Sequence, residues 1–227
     1  VFFRSHRPED PSGGEYACFS NWFESPFVDD VGRKFANAEQ FLMHRKARTF
    51  GDETTAEAVL AEPDPARVKA LGRGIAPYDD ARWAECRGAL GEDAVFRKFL
   101  AHPALAEVLL ATGEKVLVES SADDAVWGVG LDMAECEQRV AEGGAAFEDL
   151  GRRIVDGNLL GKALMTARSG LRWLRDGTEE DGALPYYCGL DERIDDVTEE
   201  ERVEPGVDDV SPEERARREA AKEENLL

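Results

Sequence analysis

Two hydrophobic rhythms divide the first part of this chain. Residues 27–35, FVDDVGRKF, set strand-forming side chains on either side of a polar Asp-Asp-Val-Gly turn, which predicts a β-hairpin. From Asn37 the period lengthens. Asn37 is a helix cap and Gln40 stands three positions on, so AEQFLMHRKARTF predicts a helix opened by a capping box. Apolar spacing with a Pro or an acid in the first turn predicts further helices over 54–61, 65–72, 79–90, 94–100 and 103–112. KVLVES reads as one buried strand. NLLGKALMTARSGLRWL reads as a helix with Leu160, Leu164, Ala167 and Leu171 along it, and with Asn158 as its cap just after Gly157.

Strands early and helices thereafter do not alternate as a doubly wound sheet requires, and neither a dinucleotide-binding nor a P-loop glycine motif is present. The expected fold class is α+β: a helix-rich single domain with a small β-sheet over residues 1–180. Residues 181–227 read as an acidic C-terminal extension, mobile or peripheral. Residues 191–227 carry 15 acids and 6 bases with few aromatics, too little apolar surface to offset the entropy of ordering. Within it, SPEERARREAAKEENLL has the marks of a last helix, capped by Ser211 with Pro212 in the first turn and Glu214 three on.

Composition narrows the function. With 42% apolar residues in 227, the chain has enough material for a real core, and no run of 18 apolar residues suggests a membrane span. The expectation is a cytoplasmic protein. Cys18, Cys86, Cys136 and Cys188 are scattered singly, as are His6, His44 and His102, which suggests neither a zinc site nor a disulfide framework. A net charge of −20 argues against sequence-blind nucleic-acid binding, which needs clustered Lys and Arg.

Candidate chemistry begins at Glu39. At i, i+4, i+7 spacing Glu39, Met43 and Lys46 share one helix face, so a carboxylate and an amine can reach one cavity. A first-turn position favours the charged form of Glu39, suited to a base or nucleophile, although a glutamate there also serves the helix dipole alone. A second cluster, SSADDAVWGVG, follows the buried strand. Asp124 and Trp127 on a Gly-containing loop can meet a cationic group and stack a flat ring, yet a turn whose Trp plugs the core has the same sequence. Trp83 in YDDARWAECR, and Ser20 and Asn21 in CFSNWFESPF, are equally explicable as packing and capping.

The ordered set FSNW, AEQF…K, LGR, RW, KF, TG…LVE, DDAVWGVG and NLLGKALM…R, from about Phe2 to Arg168, resembles the NADAR family, also called YbiA-like. The resemblance implies a compact α+β fold and N-glycosidase chemistry. Its members hydrolyse a ribose C1–N bond, either in phosphorylated ribosylamine intermediates of riboflavin synthesis or in ADP-ribose attached to guanine in nucleic acid. Matched residue by residue, it marks Glu39, Trp83, Asp124, Trp127 and Asn158 as leading site residues. Two departures stand out. The usual His after the glutamate is Gln40 here, and AECEQRVAEGGAAFEDLGRRIVD lengthens the connection between WGVG and GNLLG, a potential lid.

Cleavage of a C1–N bond builds positive charge on the ribose, so an anion must face C1 and a base must activate water. Asp124 and Glu39 can divide these tasks. Trp83 and Trp127 are expected to sandwich the base or ribose, and Asn21, Lys46, Arg73 and Asn158 to bind substrate, with Lys46 and Arg73 on phosphate. A Schiff base from Lys46 is a different route and needs a desolvated amine. No metal or other cofactor is implied. The expected partner is a small ribosylamine phosphate or ADP-ribose-type molecule. ADP-ribosylated nucleic acid also fits if Arg45, Lys46, Arg48, Arg73 and Lys98 line a local groove for one flipped nucleotide. Two non-catalytic alternatives are an ADP-ribose-binding module and an interaction protein working through the acidic tail. Two carboxylates aimed at a phosphate-bearing ligand favour catalysis.

Overall fold

A computed structural model describes residues 1–177; the predicted last helix and the 181–227 extension lie outside the described residues. The order is β1 (Phe2–Phe3), a 3-10 helix (Gly14–Phe19), β2 (Phe27–Val28), β3 (Lys34–Phe35), α1 (Ala38–Thr49), α2 (Glu53–Ala61), α3 (Pro65–Arg73), α4 (Asp80–Ala101), α5 (Pro103–Ala111), β4 (Val118–Glu119), α6 (Met133–Glu142), α7 (Gly144–Asp156) and α8 (Leu159–Asp176). The expected helix-rich α+β architecture is present.

The hairpin forms as predicted, Phe27 opposite Phe35 and Val28 opposite Lys34. Its turn is tied by Asp29, whose Oδ1 accepts from the Val31 and Arg33 backbone while Oδ2 pairs with the Arg33 guanidinium at 2.6 Å. The strand predicted in KVLVES shrinks to β4, which pairs in parallel with β1, Phe2 beside Val118 and Phe3 beside Glu119. Two residues per strand leave these sheets dependent on the helices around them.

The largest core lies between α4 and α8, with Phe3, Phe19, Val95, Phe96, Phe99, Leu117, Leu160 and Leu164 in one cluster. Gly170 on α8 lets the two helices close up, since a Cβ there would stand 2.9 Å from the Phe96 ring. The 79–90 and 94–100 segments fuse into the single helix α4. Gly91, in the gap between the two predicted segments, is helical, and its bare Cα is where the Trp127 ring packs, 2.6 Å from the position of a Cβ.

Gln40 explains the first departure noted in the sequence. Asn37 Oδ1 accepts the Gln40 backbone N–H, but the Gln40 side chain reaches back to Ala36 N and donates to the Val59, Leu60 and Glu62 carbonyls at the end of α2. It locks α1 to α2. The second departure, the long connection, is a helical hairpin. Cys136 of α6 and Leu150 of α7 are buried against Val118, Val129 and Leu131, and Asp149 joins Arg139 and Arg153 at 2.9 Å.

Candidate active site

Glu39 opens α1, its backbone N–H donating to the Asn21 carbonyl at 3.0 Å. That contact places the helix start against the Ser20–Phe23 turn, where the Trp22 side chain favours the charged form of the Glu39 carboxyl. The residue is only 6% exposed. Burial dominates its titration and lifts the carboxyl to about 7, against the opposing pull of Lys69, Trp22 and Arg73 and with a further push from Asp124. The helix-terminus argument alone predicts the opposite direction; desolvation of a buried carboxylate outweighs a partial charge at a helix end.

Glu119, at the end of β4, is the second member. Burial again comes first in raising its carboxyl to about 7, then the negative charge of Asp124, with Lys69 opposing, Glu39 adding to the rise and Arg4 opposing. Its Oε2 is shut off from solvent and has no hydrogen-bond partner. Asp124 is the third. One of its oxygens, Oδ1, accepts from the Val126 and Trp127 backbone N–H groups at 2.9 and 2.8 Å, which folds the loop back on itself. Gly128 lets this loop close: a Cβ there would meet the Glu119 carbonyl oxygen at 2.7 Å and that of Asp124 at 3.0 Å. Three carboxylates from α1, β4 and the following loop thus act on one another. Among the described residues no group of three His, Cys, Asp or Glu is arranged to hold a metal ion.

Cationic groups reach this cluster from α3. Lys69 acts on both Glu39 and Glu119, and Arg73, one turn on, acts on Glu39. Lys69 also lies 5.9 Å from the centre of the Trp22 ring, against which His6 packs at 5.7 Å. The α1 face of Glu39, Met43 and Lys46 abuts the end of α3: Lys46 Nζ donates to the Gly72 carbonyl at 2.7 Å, and a Cβ on Gly72 would collide with the Met43 sulfur. Burial lowers the Lys46 amine, with Asp80 and Glu39 opposing, and the amine sits over Tyr78 and Trp83, 4.6 and 5.4 Å from the ring centres.

A model of the NADAR domain matches residues 2–172. The chain belongs to the NADAR family. An N-glycosidase of Acanthamoeba polyphaga mimivirus is 32% identical over 154 residues, 66% of this chain and 85% of that one. Other relatives are also named N-glycosidases. A riboflavin biosynthesis protein of Vibrio vulnificus is 37% identical over 87 residues, 38% of this chain and 24% of its own. The NMR structure of the E. coli protein YbiA is similar in fold, with a TM-score of 0.56 and 24% identity over 82% of this chain and 90% of that one.

Against the NADAR resemblance, the structure brings Glu39, Asp124 and Arg73 together and sets Asn21 and Lys46 at the border of the same cluster. Asn158 is placed differently. It is fully buried in the left-handed region, φ 54°, and caps nothing with its side chain. Its Oδ1 accepts from Glu119 N at 3.0 Å and its Nδ2 donates to the Leu117 carbonyl at 2.9 Å, so it holds β4 rather than a ligand.

The two tryptophans do not form a sandwich. Trp83 is buried beside Lys46, whereas Trp127 packs on Gly91, two turns or about 12 Å further along α4. Nor do the five basic residues form a groove. Arg45 is buried, Lys98 is buried and bonded to the Ser20 carbonyl, and Arg48 pairs with Glu53 at 2.5 Å. Burial takes Arg45 and Lys98 out of reach of a ligand, and Arg48 is held by Glu53.

Glu119, Lys69, Trp22 and Arg4 were missed by sequence reasoning. The signals were there: Glu119 ends the LVE stretch, Trp22 ends FSNW, and Lys69 stands at i−4 from Arg73 on one helix face. Nothing local ranks them above other charged residues.

Proposed function

We propose that this NADAR chain is an N-glycosyl hydrolase that cleaves the ribose C1–N bond of a phosphorylated ribosylamine of riboflavin synthesis, with ADP-ribosylated guanine as the other substrate of the same chemistry. The N-glycosidase names of its relatives support the reaction, and the Vibrio relative's name supports the first substrate. The observation that carries it is the convergence of Glu39, Glu119 and Asp124 beside Lys69.

Hydrolysis adds the hydroxyl of water to C1 and returns a proton to the departing nitrogen. Glu39 and Glu119, both raised to about 7, with the charge of Glu39 adding to the rise of Glu119, hold between them one proton to give and one site to take one near neutral pH. In this reading Glu39 activates water and Glu119 supplies the proton. Asp124 keeps its second oxygen beside the cation that develops at C1, its first being fixed by the loop backbone. Lys69 and Arg73 take the phosphate, and Trp22, not a Trp83–Trp127 pair, offers the ring face.

The test offers wild type and Glu39→Gln a ribosylamine phosphate and ADP-ribosyl-guanosine DNA side by side, with released base read by mass spectrometry. Release from one substrate, lost in the variant, names it. A folded wild type that binds ADP-ribose and releases nothing from either would overturn the hydrolase reading in favour of a binding module.

A further inference from the structure

Lys98 is the one lysine of the described core that the proposed chemistry does not use. It sits near the end of α4, 1% exposed, and among the described residues no carboxylate lies within ion-pair distance. Its Nζ donates to the Ser20 carbonyl at 2.8 Å and lies 5.6 and 5.3 Å from the centres of the Phe23 and Phe99 rings. An apolar side chain of the same length would fill this space without the cost of burying an amine.

What the amine holds is the turn beneath the site. The Ser20 carbonyl also accepts the Phe23 N–H at 3.1 Å, and Ser20 Oγ accepts the Trp22 N–H at 3.2 Å. Within that turn, the Asn21 carbonyl accepts the Glu39 backbone N–H at 3.0 Å, and the Trp22 side chain favours the charged form of the Glu39 carboxyl. Hydrogen bonds therefore run from α4 through the Ser20–Asn21 backbone to the start of α1 at Glu39.

We propose that Lys98 is a positioning residue for Glu39, acting through the Ser20–Phe23 turn rather than on the substrate. The inference rests on the hydrolase reading for its effect on turnover, and on geometry alone for its effect on Glu39. Burial lowers the Lys98 amine to about 7; Cys18, on the 3-10 helix, is the group whose charge opposes this, and burial raises its own thiol. The lysine thus costs stability on the acidic side. Its unfolded value is 10.5, so the unfolded chain binds more protons between about 7 and 10.5, and stability rises with pH across that window.

The experiment compares wild type, Lys98→Met and Lys98→Arg. Lys98→Met is expected to fold, with a melting temperature at pH 6 at or above wild type and an advantage that fades toward pH 10. Its kcat should fall about tenfold with KM changed less than twofold, and its Glu39 carboxyl, followed by carbon-13 NMR with Glu39→Gln as the assignment control, should titrate away from the wild-type midpoint. Lys98→Arg, which keeps a donor, should recover part of kcat and of the midpoint. If Lys98→Met does not fold, the comparison of Lys98→Arg with wild type by NMR decides. An unmoved Glu39 midpoint in every folded variant overturns the positioning role. A wild type without turnover, but with a midpoint that moves in Lys98→Met, fails the hydrolase reading and leaves the positioning role standing.

Discussion

The Asn158 side-chain oxygen accepts the backbone N–H of Glu119 at 3.0 Å while its amide nitrogen donates to the Leu117 carbonyl at 2.9 Å. One buried side chain thereby fixes the strand whose last residue is the second carboxylate of the site. Alanine at 158 leaves a buried donor and a buried acceptor unpaired, at about 1–3 kcal/mol each, and keeps a left-handed backbone that alanine tolerates poorly. Asn158→Ala is expected to lose about 2–5 kcal/mol in urea unfolding, with a drop in kcat in whatever protein remains folded. A loss under 1 kcal/mol would contradict this account.

Glu39 and Glu119 both sit near 7 when folded, against an ordinary value of 4.5. A folded value above the unfolded one stabilises the protein fully below pH 4.5 and loses that contribution as pH rises through 7. These two carboxyls should therefore draw thermal stability down between about pH 4.5 and pH 7, and Glu39→Gln, compared with wild type, should flatten part of the pH dependence in that window. In activity, Glu39→Gln is expected to cost about 10²–10⁴-fold in kcat. A Gln variant with wild-type turnover would remove Glu39 from the chemistry.

Lys69 opposes the rise of both glutamates. Replacing it by Met should push both titrations upward, moving the limbs of the pH–kcat profile toward higher pH and raising KM for a phosphate-bearing substrate. Lys46→Met should shift the profile less, because its Nζ is already engaged by the Gly72 carbonyl. Equal shifts from the two variants would contradict this difference in placement.

Gly91 carries the Trp127 ring, with 2.6 Å between a built Cβ and the nearest ring atom. Gly91→Ala must displace the ring and, with it, the loop tied by Asp124. The expected cost is about 1–3 kcal/mol of stability, with a change in tryptophan emission and lower turnover. Gly88→Ala, in open space on the same helix, is the control: it should leave emission and turnover unchanged and raise stability by up to about 1 kcal/mol.

How much of this was legible in the sequence differs by element. The start of α1 was readable because Asn37 and Gln40 are three residues apart, and the hairpin because its strands and turn are contiguous. α4 was misread as two helices because Gly91 weakens a helix by itself; only the arrival of Trp127, from a distant loop, explains why it stands there.

By itself the sequence determined the helix-rich α+β plan, the family resemblance and two of the three carboxylates, because periodicity, caps and motifs act over a few residues. The tertiary structure alone decided that Glu119 joins Glu39, that Asn158 serves β4, and that the tryptophans part. It also reversed the direction in which Glu39 titrates. Helix position is a local property, but desolvation depends on every element that closes over the group, and no stretch of sequence contains them all.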